Sequence, residues 1–255
     1  MIIYTYDCTF DGLLTVVFDA YFRKVFPDEL LPEGSPLPLF YDEAVQSCTD
    51  TGKATRVWNA LQKKLSHTAL TMVTTTWLSE LPEVPMLLFR YFRKILDAPR
   101  SIEMNFGDPD ILEMSKIAKK VSHERHYLVM FARFQKAKDG TYFAAFEPVH
   151  NVLPIAIAHF KDRFSDQKWL IYDTRRQYGY YYDMETVQEV TFESPEGHLI
   201  TGYLNEELMD PDESQFQKLW KSYFKSIAIK ERINPKLHRQ NMPARYWKHL
   251  TEKRL

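Results

Sequence analysis

Cysteine and glycine are both scarce in this 255-residue chain, and their scarcity excludes several classes of site. Cys8 and Cys48 form no CxxC pair, which excludes a four-cysteine zinc site or a self-contained iron–sulfur cluster. Among the eight glycines there is no GxGxxG and no phosphate-loop motif. HERH at residues 123–126 is one residue short of HExxH. We therefore predict no metal and no cofactor.

Long apolar runs are also missing. None approaches the roughly eighteen residues that a bilayer-spanning helix needs. The first ten residues, MIIYTYDCTF, contain no basic segment before an apolar stretch, so we do not expect a secretory signal. With 45% hydrophobic residues the composition is that of an ordinary globular protein. We predict a cytoplasmic protein without a membrane partner.

Acidic residues are rare at one end of the chain. Residues 216–255 carry eleven Lys and Arg against two acids, Glu231 and Glu252, although the whole chain sums to −1. The near-neutral total therefore conceals a polarised molecule. Such asymmetry is typical of a protein with a polyanionic partner. The alternative is that the cations pair with the acidic remainder of the same chain.

Apolar periodicity predicts an α+β fold. In residues 1–82 we predict one strand, Ile2–Tyr6, within a smaller, mostly helical N-terminal region. Residues 83–255 form the second predicted domain, which opens with helices ending near residues 96 and 121. Alternating runs at 126–134 and 141–147, joined through Asp139-Gly140, then predict a hairpin. A helix at 152–164 capped by Asn151, a hairpin at 168–183 and a strand at 187–192 complete an antiparallel sheet of order β-β-α-β-β-β.

The C-terminal helix, residues 210–228, and the tail after it form a candidate nucleic-acid surface. Cations release condensed counterions when they neutralise phosphates, and aromatic rings stack on bases. The alternative reading is that the lysines only solvate the helix and that the tail aromatics pack on the core. The candidate residues are Lys221, Lys225, Arg239, Arg245, Tyr246 and Trp247.

A second group of candidates lies between residues 147 and 176. A Glu/His pair at a strand-to-helix junction suits general acid–base chemistry, and arginines at a hairpin turn suit bidentate phosphate binding. Turn capping and ordinary ion pairs are the alternatives for the same residues. We take as candidate catalytic residues Glu147, His150, His159 and Asp173, and as candidate phosphate-binding residues Arg163, Arg175 and Arg176.

Three segments carry a family resemblance: YTYDCTFDGLLTVVFDAYF at 4–22, the stretch FEPVHNVLPIAIAHFKDRF and its continuation to 183, and HRQNMPARYWKHLTEK at 238–253. They resemble a bacterial family that is labelled a DNA metabolism or DNA repair protein and whose C-terminal part is a domain of unknown function. Its members are companions of a radical-SAM protein similar to spore photoproduct lyase. In other proteins a similar domain follows an iron–sulfur uracil-DNA glycosylase. The resemblance implies DNA and a radical-SAM protein as partners.

Three functions follow as hypotheses. The chain lacks the CxxxCxxC of a radical-SAM cluster, so the first is a DNA-binding accessory beside such an enzyme. The second is a stand-alone hydrolase or nuclease, which requires Glu147, His150, His159, Arg163 and Asp173 to converge on one pocket. The third is a protein–protein adaptor, which requires an exposed apolar patch and has no affinity for DNA.

Overall fold

The computed structural model describes residues 1–193, 197–227 and 229–253, and of Lys230 only the backbone. Ala228, which the sequence places in the apolar stripe of the C-terminal helix, lies outside the described residues. The chain divides into two compact units, Met1–Val121 and Ser122–Leu255. The domain boundary predicted at residues 82–83 falls inside the first unit and stays a prediction, because a spatial unit need not end where a sequence domain ends.

The first unit packs helices around a small parallel sheet of order β2-β1-β3. The central strand is buried through Ile3, Tyr4 and Tyr6, and the first helix covers it with Leu13 and Leu14. The elements are β1 (Ile2–Tyr6), α1 (Phe10–Arg23), β2 (Glu29–Pro32), β3 (Glu43–Gln46), α2 (Thr51–Lys64), α3 (His67–Trp77), α4 (Val84–Asp97) and the start of α5 (Pro109–Phe131).

The second unit is built on a five-stranded mixed sheet of order β4-β5-β6-β7-β8. One helix crosses between the two parallel strands, and Trp169 packs against Phe160 of that helix. Phe143 and Tyr172 on the other face pack with Leu199. The elements are β4 (Gln135–Lys136), β5 (Tyr142–Phe146), α6 (Leu153–Arg163), β6 (Trp169–Asp173), β7 (Tyr178–Tyr182), β8 (Val187–Thr191), α7 (Gly197–Thr201), α8 (Glu213–Ser226) and α9 (Pro235–Asn241), followed by 3₁₀ turns at Ala244–His249 and Thr251–Lys253.

The α+β class is confirmed, but the prediction of an antiparallel sheet is wrong in part. Strand β5 pairs with β6 in parallel, because the intervening helix α6 returns the chain to the same end of the sheet. The remaining pairs, β4 with β5, β6 with β7 and β7 with β8, are antiparallel. Strands β2 and β3 of the first unit were not predicted, since each is only four residues long.

The strand predicted at residues 126–134 is also wrong, because α5 continues to Phe131. The buried residues Val121, Glu124, Leu128 and Phe131 recur at helical spacing, which a short aromatic and β-branched run conceals. Asn151 does not cap α6, since the residue before that helix is Val152. The Asn151 side chain instead accepts a hydrogen bond from Tyr178. No helix among the described residues has the length and hydropathy needed to cross a lipid bilayer.

Gly179 leaves no room for a side chain in the sheet of the second unit. Its substitution therefore tests the register of β6 and β7. Gly179 pairs with Tyr172, and a Cβ there would lie 2.5 Å from the carbonyl oxygen of Ile171. We expect Gly179→Ala to lower the free energy of unfolding by about 1–3 kcal/mol, since the added methyl group forces two strands apart. Urea denaturation followed by circular dichroism measures it. Gly197→Ala, where a Cβ meets no atom within 4 Å, is the control and changes stability little.

Candidate nucleic-acid interface

The turn between β6 and β7 is organised around the buried carboxylate of Asp173. One oxygen accepts hydrogen bonds from the backbone N–H groups of Arg175 and Arg176, at 2.9 and 3.0 Å. The other accepts from the Arg176 guanidinium at 2.8 Å. Burial raises the pKa of Asp173 above its ordinary value, although the Arg176 hydrogen bonds and charge oppose the rise. Asp173 therefore shapes the turn and lies away from solvent.

The two turn arginines also hold the loop that connects β5 to α6. The Arg176 guanidinium donates to the carbonyl oxygens of Pro148 and Val149, at 3.1 and 2.9 Å. The Arg175 guanidinium donates to the Val149 oxygen at 3.1 Å. Arg176 is largely enclosed by these contacts, whereas Arg175 is exposed. Of the two turn arginines predicted to bind phosphate, Arg176 thus mainly supports the loop backbone, and Arg175 lies at the exposed edge.

A second buried carboxylate, Glu124 on α5, fixes the other side of the same loop. Its two oxygens accept from the backbone N–H groups of Val149 and His150, both at 2.9 Å. One of them also accepts from the Arg245 guanidinium at 3.0 Å and from the Tyr246 hydroxyl at 3.1 Å. Glu124 therefore ties together the helix, the loop and the C-terminal tail.

Tyr246 is an anchor of the tail and belongs to the core. Its ring packs against Tyr127 and Phe131 of α5, with centroids 5.8 and 5.5 Å away. Burial raises the pKa of the Tyr246 hydroxyl to about 12, so the group stays a neutral donor to Glu124 at physiological pH. Trp247 is partly buried and donates its indole N–H to the Met242 oxygen at 2.9 Å. Tyr246 and Trp247 therefore pack against the protein, which is the alternative to base stacking.

These contacts leave an open cleft of about 470 Å³, which we call the arginine cleft. Arg175, Arg245 and Lys248 supply its cations, and the side chains of Arg245 and Lys248 are about half exposed. Glu147 is the carboxylate at its edge and forms an ion pair with Lys248. The residues that line the cleft are Glu147, Val149, Arg175, Ala244, Arg245 and Lys248.

Of the candidate catalytic residues, three gather behind or beside the arginine cleft. Glu147 lines it, Asp173 lies under the turn, and the His150 Nε2 atom is 4.0 Å from a Glu124 oxygen. His159 and Arg163 are exposed on α6 and do not line it. Within the described residues, no three His, Cys, Asp or Glu side chains are placed to hold a metal ion.

The remaining candidate cations lie outside the cleft. Lys221 and Lys225 are on α8, where Lys221 lines a second depression together with Lys138 and Lys218. Arg239 is exposed on α9. The structure therefore divides the basic C-terminal segment between the arginine cleft and the surface around α8.

From the sequence, Glu124 was assigned no role, and although Lys248 was placed in a run of phosphate-binding cations, its ion pair with Glu147 was not predicted. The signal for Glu124 was available, since it shares the helical spacing of Val121, Leu128 and Phe131. A charged residue on a buried helical stripe requires partners, because an unpaired buried charge is costly. Its partners, however, are up to 122 residues away along the chain, so only the fold identifies them.

Glu252 holds α8 to the end of the tail. It accepts from the Arg133 guanidinium at 2.7 Å and from the Trp220 indole N–H at 2.8 Å, and its side chain is almost fully buried. Burial by itself raises the pKa of Glu252, but the hydrogen bonds from Arg133 and Trp220 outweigh it. The net result is a pKa below the ordinary value of 4.5.

A family model described as a domain of unknown function, DUF4130, matches residues 82–252. No curated protein and no solved structure matches this chain.

Glu124→Gln tests the carboxylate that joins α5, the loop and the tail. Both oxygens of Glu124 accept hydrogen bonds from donors. The glutamine side chain replaces one of these oxygens with an NH₂ group, which cannot accept, so a donor is left facing a donor. We expect the free energy of unfolding to fall by about 1–3 kcal/mol. Urea denaturation measures the loss, and Glu113→Gln on the exposed face of the same helix is the matched control. Equal stability of the two variants contradicts the assigned network.

Glu252 makes a pH-dependent contribution to stability. Because its pKa is lower in the folded than in the unfolded state, the contribution is present above pH 4.5 and is lost as the pH falls through the folded pKa. We expect Glu252→Gln to lower the urea midpoint at neutral pH and to approach the wild type at an acidic pH well below 4.5. Glu185→Gln, at an exposed position, serves as control. A difference that is the same at both pH values argues against the linkage.

Proposed function

The chain belongs to the DUF4130 family, and we propose that it binds DNA as an accessory component of a DNA repair or modification system. The observation that carries the proposal is the arginine cleft, which Arg175, Arg245 and Lys248 line together with one carboxylate, Glu147, at its edge. Guanidinium groups bind phosphate oxygens through paired, charge-assisted hydrogen bonds. The cleft therefore offers a site for the phosphate backbone.

Contacts with the rest of the protein hold the cations of the arginine cleft in place before a polyanion binds. Glu124 binds one edge of the Arg245 guanidinium, and the Arg175 guanidinium is held by the Val149 oxygen. Each arginine is thereby restrained before a ligand arrives, which reduces the entropy lost on binding. Lys248 is paired with the exposed Glu147, and a phosphate can replace that carboxylate because the pair lies in solvent.

The biological setting of the proposal comes from the family resemblance. The segments at 146–183 and 238–253 that carry it contain the loop, the turn and the tail that build the arginine cleft. We propose a radical-SAM repair or modification protein as the enzyme that this chain assists. In this arrangement the chain holds the DNA backbone and the companion enzyme supplies the chemistry.

The geometry favours binding over hydrolysis by this chain. A hydrolase needs Glu147, His150 and Asp173 to reach one substrate atom. Asp173 is fully buried and is occupied by two backbone donors and the Arg176 guanidinium. Glu147 is exposed and forms an ion pair with Lys248. The buried carboxylates thus act as structural acceptors.

Fluorescence anisotropy with labelled single- and double-stranded DNA tests the proposal. We expect affinity to fall steeply as salt rises, because each neutralised phosphate releases a counterion. Arg175→Gln and Lys248→Gln each remove one cation from the cleft. Each is expected to weaken binding and to reduce the salt slope by about one.

Lys63→Gln, at an exposed position on α2, is the control and leaves affinity and slope unchanged. Circular dichroism confirms that each variant is folded. Flat binding curves for both DNA forms with folded wild-type protein overturn the proposed function. Tight binding that the two cleft variants leave unchanged places the DNA elsewhere on the surface.

A further inference from the structure

The apolar stripe of α8 is exposed along the length of the helix. Phe216, Leu219 and Tyr223 are 63%, 57% and 54% exposed, and Ile227 just beyond the helix is also exposed. The helix rests instead on a neighbouring flank that includes Glu213, which is buried. A contiguous apolar surface of this kind on a folded protein marks an interaction site.

The stripe forms one wall of a groove of about 930 Å³, which we call the α8 groove. Its lining is mainly aromatic and apolar, which distinguishes it from the arginine cleft. The rest of its lining comes from residues 132–134 just after α5, from the end of α6 and from Thr251. The large apolar residues of the lining are Phe134 and Phe164, together with Phe216, Leu219, Trp220 and Tyr223 of α8.

Among the residues that line the α8 groove, the accessible charges are positive. Arg163 is exposed at its edge with its guanidinium 5.7 Å from the Phe164 ring centroid, and no carboxylate among the described residues pairs with it. The acid among the lining residues, Glu213, is buried, and Glu252, which follows the lining residue Thr251, is occupied by Arg133 and Trp220. The following segment continues both features, with exposed Ile229, Ile233 and Leu237 between exposed Arg232, Lys236 and Arg239.

We propose that the α8 groove binds an amphipathic helix of a partner protein whose polar edges are acidic. The apolar residues on α8 recur at i, i+3, i+4, i+7 and i+11, which is the spacing of anchors in helix-in-groove recognition. From Phe216 to Ile227 they extend over about 16 Å, three turns of helix. A partner helix of similar length buries the stripe, and its carboxylates face Arg163 and the cations beyond α8.

The same observations argue against two other occupants. A second copy of this chain brings Arg163 and the basic segment after α8 against their own counterparts, and like charges at an interface are unfavourable. A nucleic acid strand stacks on aromatic rings but leaves Leu219 and Ile227 facing a polar backbone. An acidic amphipathic helix satisfies the apolar stripe and the charge together.

The test uses the full chain and a fluorescein-labelled peptide of about 18 residues, with leucine at helical i, i+3, i+4, i+7 spacing and glutamate elsewhere. A lysine version and a scrambled version that has no apolar stripe are the matched peptides. We expect the acidic peptide to bind at least about tenfold tighter than either. Equal binding of all three peptides overturns the proposal.

Variants locate the peptide. Leu219→Asp and Tyr223→Asp are expected to weaken binding of the acidic peptide by about tenfold or more, whereas Ile200→Asp, at a 65% exposed position on α7, leaves it unchanged. Arg163→Glu is expected to weaken binding of the acidic peptide and to strengthen that of the lysine peptide. Because all four positions are exposed, circular dichroism and the urea midpoint should stay those of the wild type.

Two further measurements separate the alternatives. The first is analytical sedimentation of the chain alone. If the wild type is a dimer and Leu219→Asp makes it a monomer, the α8 groove binds a second copy of the chain and the proposal is overturned. The second measurement uses the Arg175→Gln variant, in which the arginine cleft is weakened. If single-stranded DNA displaces the peptide from this variant, the α8 groove binds nucleic acid and the proposal is overturned. Retention of peptide binding in that variant without displacement supports it, whether or not the arginine cleft binds DNA.

Discussion

The carboxylate of Glu124 is the contact on which the candidate site depends. It lies on α5, yet it accepts hydrogen bonds from the loop at Val149 and His150 and from the tail at Arg245 and Tyr246. These three segments are far apart in the chain, and burial of a carboxylate is costly unless such donors surround it. The position of the tail is therefore coupled to the packing of the helix.

The arginines around the arginine cleft have different roles. Arg176 is enclosed and supports the backbone of the β5–α6 loop, and Asp173 neutralises it. The Arg175 side chain donates one hydrogen bond, to the Val149 oxygen, and the Arg245 side chain donates to Glu124 and to the Tyr246 hydroxyl, yet both residues stay exposed. Glu124 pairs with Arg245 and the exposed Glu147 pairs with Lys248, whereas Arg175 is held by a carbonyl oxygen. In a chain of net charge −1, the arginine cleft is thus lined by three cations and one carboxylate.

The basic C-terminal segment contains two different surfaces. The arginine cleft is polar and is built from the tail and the sheet end, whereas the α8 groove is aromatic and apolar with Arg163 at its edge. The amphipathic pattern of α8 was evident in the sequence, where such a stripe ordinarily packs on a core. In the structure the helix rests on an adjacent flank and the stripe is left exposed, because Glu213 occupies the buried side and Glu252 binds Trp220.

Local pattern was sufficient for several features of the fold. The turn at Asp139-Gly140, the hairpin around Arg175-Arg176, helix α6 and the amphipathic α8 all follow from spacing within ten to twenty residues. Residues 126–131 were misassigned because a short apolar run fits a strand as well as the end of a long helix. The parallel pairing of β5 with β6 depends on which way α6 returns the chain, and spacing does not encode that.

By itself, the sequence determined the α+β composition, the charge asymmetry and the residue types near residues 147–176 and 239–248. Only the tertiary structure decided which of them meet: it placed Glu124 between the loop and the tail, buried Tyr246, and left His159 and Arg163 outside the arginine cleft. The physical reason is that helix and turn formation depend on neighbouring residues. The partners of a buried charge, and the face of a helix left to solvent, depend on contacts between distant parts of the chain.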